Sequence, residues 1–258
     1  MAELLFWPVL LLYGEAALGY FGEARRPGAA GRAATWGVRL GWLAQTALLV
    51  VQAVRADGFP WDTWAGSLNL FVWLVVGAYL IWGCRARYRL LGLVVMPLAA
   101  ALFLLARAGG GTAAGASGRY PSLLLVLHVG LVLAAFAGFT LAAAISALYL
   151  WQERRLKRRA ADILRLRLPS LVVLERLTAR TVVVSLPLLT LGLVAGIVRL
   201  ARDGGGADAA MAVALLAWCV YVAFLAVRPA GRHAAYVALA GFALVILVQV
   251  VLAGSHFA

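Results

Sequence analysis

Apolar runs, each about twenty residues long and separated by short polar loops, recur along the whole sequence and restrict its fold more than any motif does. A stretch of that length crosses the hydrocarbon core as a helix, because lipid offers no partners for free backbone groups. Eight runs can be read, over residues 4–22, 36–54, 66–84, 90–107, 122–151, 181–201, 209–227 and 234–253. Composition excludes the soluble alternative. The chain is 65% hydrophobic and 13% charged, against about half and about a quarter in globular domains. The predicted fold is all-α: a polytopic integral membrane protein of about eight transmembrane helices, forming one transmembrane domain over residues 1–258. The first run has no basic start and carries Glu15, so it is expected to be a retained span rather than a cleaved signal.

The net charge of +13 would suggest nucleic acid in a soluble protein. Here the basic residues lie between apolar runs, which makes them topological markers, and no nucleic-acid partner is expected. Of the 23 Lys and Arg residues, 18 fall on one set of loops: Arg25 to Arg39, Arg85 to Arg89, the block Arg154 to Arg180, and Arg228 with Arg232. The other set holds 5: Arg55, Arg107, Arg119, Arg199 and Arg202. The richer set is expected in the cytoplasm, with both termini outside. Residues 152–180 form a basic cytoplasmic loop. WQERRLKRR is expected at anionic lipid headgroups, and LPSLVVLERLTAR as an amphipathic interfacial helix leading into span six.

Few residues can carry chemistry. HExxH, GK[ST], CxxC and paired carboxylates are all absent from the sequence. Cys84 and Cys219 are expected to pack. His233 reads as a solvated loop residue beside arginines. His128 lies early in span five, roughly 10 Å below its start at Pro121, and His256 follows span eight. Both fall on the expected outer side. Two readings stand for them. His128 donates to a neighbouring carbonyl while His256 is a frayed end, or the two imidazoles supply axial ligands to a haem between helices. Glu15 and Gln45 could line a cavity, and Glu15 could pair with Arg39. Trp73 sits mid-span, either packed or stacked on a planar ligand.

Four segments in order resemble the cytochrome c assembly protein family (CcsA/CcmC-like), most closely its short HemX/YpjD-like branch. They are DGFPWDTWAGSLNLFVWLVVGAYLIW, LHVGLVLAAFAGFTLAAAISALYLWQERRLKRR, LPSLVVLERLTARTVVVSLPLLTLGLVAGIV, and AGRHAAYVALAGFALVIL followed by GSHF. The resemblance runs from about residue 36 to the end. It implies haem handling at the outer face of a cell membrane (plasma or inner), in cytochrome c maturation. By similarity His128 and His256 hold the iron of a non-covalent b-type haem, with Trp73 packing the macrocycle. Binding rather than catalysis is the expected role. Partners implied are haem and other membrane subunits of cytochrome c assembly or haem synthesis. The sequence departs from the haem-handling members in two places. The loop Arg199 to Ala210 has no tryptophan where they carry a tryptophan-rich segment, and Gln45 stands where some have a histidine. The alternative is a non-haem scaffold or regulatory subunit of such a complex.

Overall fold

The computed structural model describes residues 2–25, 28–55, 63–83, 88–113, 123–158, 169–203 and 209–255. All regular structure among them is helical. Eight α-helices follow in order: α1 (Ala2–Arg25), α2 (Ala29–Arg55), α3 (Trp64–Gly83), α4 (Gly92–Ala108), α5 (Leu123–Lys157), α6 (Leu171–Asp203), α7 (Ala209–Val227) and α8 (Gly231–Ser255), with a short 3₁₀ turn, Arg89–Leu91, before α4. Seven are long and apolar enough to cross a membrane, and α7 contributes a shorter apolar helix, Met211–Val227. A multi-pass, all-helical membrane protein is therefore the observed class.

The helices group into two compact units, α1–α4 and α5–α8. In the first, small residues let α1 and α2 approach closely. A Cβ added at Gly19 would lie 2.8 Å from the Ala34 methyl, and one at Gly41 would lie 2.7 Å from the Tyr13 ring. Such close seats replace the hydrophobic drive that helix pairs lack in lipid. One face of α1, Phe6, Val9, Tyr13, Ala16 and Tyr20, is buried at helical spacing. At the end of α1 the Glu23 carboxylate accepts from the Gly28 and Gly31 amides at the start of α2, at 2.8 and 3.2 Å. It also meets Arg89 at 3.5 Å, tying three elements at the expected cytoplasmic end.

The second unit is built on a tight α5–α6 pair. Gly138 of α5 leaves the space filled by Ser185 of α6. Phe139 and Tyr221 stack at 3.7 Å with their planes 5° apart, joining α5 to α7. The Tyr221 hydroxyl donates to the Ala238 carbonyl of α8 at 3.2 Å. Two helices outrun their apolar cores. Gln152–Lys157 closes α5 and Leu171–Arg180 opens α6, so the described parts of residues 152–180 are continuous with the neighbouring spans. The physical reason is propensity: Glu, Arg, Lys and Leu keep a helix going past the apolar stretch. The α5 end is exposed and basic, with a Lys157–Glu153 pair at 2.6 Å and Arg155 over the Trp151 ring.

Candidate functional site

His128 is half-buried in the second turn of α5, and its position is set by glycines on α6. Gly192 and Gly196 lie one turn apart and open a groove on that helix. A Cβ at Gly192 would meet Val132 at 2.7 Å, and one at Gly196 would meet the His128 ring at 2.7 Å. His128 and Val132, four residues apart on α5, fill this groove together. In the groove, the His128 Nδ1 lies 2.7 Å from the Gly192 carbonyl oxygen. A carbonyl only accepts, so the bonding assigns the proton of a neutral ring to Nδ1. The lone pair is then on Nε2, which has no hydrogen-bond partner among the described residues. An imidazole anchored through one nitrogen with the other free is the usual arrangement of a metal-ligating histidine.

The far end of α8 lies at the same end of this unit. The Gly231 amide, at the start of α8, donates to Glu175 Oε1 near the start of α6, at 3.0 Å. A Cβ at Gly231 would also lie 3.4 Å from the Tyr149 hydroxyl, late in α5. So α8 begins where α5 finishes and runs back beside it. From Tyr149 to His128, α5 rises roughly 30 Å, and α8 rises roughly 36 Å from Gly231 to Ser255. Both His128 and the last described turn of α8 therefore lie at the end opposite the basic tail of α5. His256 itself lies outside the described residues. His233 is exposed in the first turn of α8.

Trp73 belongs to the first unit, and its contacts are local. One ring face stacks on Trp42, with centroids 5.1 Å apart and planes within 14°. Its indole N–H donates to Thr46 Oγ1 at 2.8 Å, and the Trp42 indole donates to the Trp73 carbonyl at 3.1 Å. Gln45 is fully buried and bonded, accepting from Tyr13 at 2.7 Å and donating to the Asn69 side chain and carbonyl at 2.9 and 3.1 Å. Asn69 donates in turn to Gln52 at 3.1 Å, and Gln52 donates to the Gly111 and Ala113 carbonyls at 3.0 and 2.9 Å. Sequence reasoning missed this buried polar chain; its signal was the presence of Asn69 and Gln52 within apolar helices. It also missed the Gly192–Gly196 groove, whose signal is a GxxxG spacing. Glu15 has no hydrogen bond or ion pair with the described residues, and Arg39 lies over the Trp36 ring instead, at 4.9 Å. No group of three or more His, Cys, Asp and Glu gathers among the described residues.

A helical membrane unit presenting an anchored histidine is the setting in which the comparisons with known proteins fall. Residues 61–254 match the family model described as cytochrome C assembly protein, and the chain belongs to that family. A curated relative, protein HemX of Brevibacillus brevis, is 31% identical over 197 residues, covering 73% of this chain and 70% of that protein. Together they support a role in cytochrome c maturation or haem handling.

Proposed function

We propose that this protein binds haem non-covalently near the outer face of a cell membrane, and holds or passes it during cytochrome c maturation. The observation that carries the reading is His128: Nδ1 bound to Gly192, Nε2 left with its lone pair. His256, which follows α8 in the sequence, would hold the iron together with His128. The donor set suits the group, since two neutral imidazoles hold haem iron without help from a carboxylate cluster. Haem would be the cargo that cytochrome assembly consumes, and the chain's residues would only bind and orient it. The Gly192 carbonyl fixes the ring plane and makes Nε2 a better donor. Trp73 is engaged by Trp42 and Thr46 and stands outside the proposed ligand set.

The purified protein, loaded with haem, should show a Soret band and a pyridine haemochrome. His128→Ala and His256→Ala should each shift the band, and the double variant should abolish it, while His233→Ala leaves it unchanged. No band in the wild type, or one indifferent to the double variant, rejects the reading. One observation favours a second reading, a scaffold for another subunit of haem synthesis or cytochrome assembly. The segment Arg199 to Ala210, where α6 ends and α7 begins, holds no tryptophan to present a haem. A stoichiometric partner co-purifying without haem would select it.

A further inference from the structure

The outer face of α2 carries an apolar seam that the described residues of its own unit, α1, α3 and α4, leave exposed. Trp36, Leu40, Leu43, Ala47, Val50 and Val54 are exposed and follow one another at spacings of four, three, four, three and four. That is the a/d repeat of a coiled coil, sustained over almost the whole helix. An apolar exposed face alone would simply meet lipid. The charges beside it do not suit lipid.

Glu15 lies near the middle of the Leu4–Ala24 span, is exposed, and has no hydrogen bond or ion pair among the described residues. Its Oε2 lies 3.7 Å from where a Cβ on Gly37 would be, so the carboxylate rests against α2 at the Gly37 level. Arg39 is two residues, or about 3 Å, further along the helix. Arg39, which the loop charge count assigned to the cytoplasmic side, thus lies inside α2, ten residues past its start at Ala29, within a turn of the Glu15 level, and the two side chains do not pair with each other. At 100° per residue, Gly37 flanks the seam on one side and Arg39 on the other. A bare carboxylate at this depth is costly unless a cation or donor meets it.

We propose that this face binds a second copy of the chain, α2 against α2, about a two-fold axis along the membrane normal. Such rotation brings the left flank of one seam opposite the right flank of the other. Glu15 of each copy then faces Arg39 of its mate, giving two reciprocal pairs at equal depth around an apolar zipper. The surface lies outside residues 61–254, the part that matches the family, and the proposal is independent of haem.

The full chain, with Cys84 and Cys219 replaced by Ser, is reconstituted in lipid vesicles carrying Leu43→Cys. Membrane-permeant oxidation should link most copies as dimers, while Val183→Cys, exposed on α6, links few. Because Leu43→Cys keeps both charges, it tests the seam without challenging insertion. Glu15→Gln or Arg39→Gln should cut the linked fraction at least fivefold. The exchange Glu15→Arg with Arg39→Glu should restore it. Equal linkage at Leu43→Cys and Val183→Cys, linkage indifferent to the charge variants, a monomer at every protein-to-lipid ratio, or linkage to a different protein would each overturn the proposal.

Discussion

At Gln45 one side chain fills three hydrogen-bonding roles inside a helix bundle. It accepts from Tyr13 and donates twice to Asn69, and all three residues are fully buried. Replacing it with Leu keeps the volume but strands the Tyr13 hydroxyl and the Asn69 acceptors. A stranded buried group costs about 1–3 kcal/mol, although bonds measured within membranes average nearer ~0.6 kcal/mol. Gln45→Leu is therefore expected to lower the stability of the first unit by roughly 1–3 kcal/mol, seen as a lower Tm in detergent. Thr46→Val, which removes the acceptor for the Trp73 indole and a hydroxyl that donates to the Trp42 carbonyl of its own helix, should cost less. Equal Tm values for wild type and Gln45→Leu would show the chain of amides to be energetically idle. The sequence displayed Gln45 as a polar residue in an apolar run. It could not show Asn69 and Gln52 closing around it, because that pairing depends on how α2, α3 and the Gly111–Ala113 turn fold together.

At the scale of an element, α6 shows how backbone shape can hold chemistry in place. The missing side chains of Gly192 and Gly196 create the seat, and Val132 and His128 of α5 occupy it. Gly196→Ala puts a methyl 2.7 Å from the imidazole and forces the ring off its carbonyl anchor. Loss of such an outer contact costs on the order of 10–100-fold in metal affinity, and a haem titration should show a drop of that order. Gly130→Ala on α5 is the matched control. Nothing lies within 4 Å of its added Cβ, and Ala is the better helix former by about 1 kcal/mol. If both alanines bind haem like the wild type, the groove does not orient a ligand. Apolar length was enough to locate these helices in the sequence. Their ends were harder to read, because α5 and α6 continue through Gln152–Lys157 and Leu171–Arg180, where amphipathic composition suits a helix as well as a loop. The partner of His128 was legible only as a class, a neighbouring carbonyl. That it belongs to Gly192 follows from the register of two helices, which brings together residues 64 apart in sequence.

For the whole molecule, sidedness decides whether an anchored histidine can serve an extracytoplasmic pathway. In the sequence α4 ends at Ala108 and α5 begins at Leu123, an interval shorter than the roughly 20 residues a membrane crossing needs, so Gly110 and the start of α5 are expected on one side. Arg154, Arg155 and Lys157 mark the opposite end of α5, and positive charge is retained in the cytoplasm. The α7–α8 turn belongs with that basic end, because Gly231 is held by Glu175 near the start of α6. In a background without native cysteines, Gly110→Cys should react with an impermeant maleimide in intact cells. Ala230→Cys should react only after the membrane is opened. The charge asymmetry, 18 basic residues against 5, makes the reverse orientation costly in every loop at once. Inverted labelling would put the His128 end in the cytoplasm. It would then retire delivery to an outer-face acceptor, even if haem binding by His128 were already proven. Labelling as expected, combined with a Soret band lost in His128→Ala plus His256→Ala, ties the two properties together: a ligand site, and the side of the membrane on which its cargo is used.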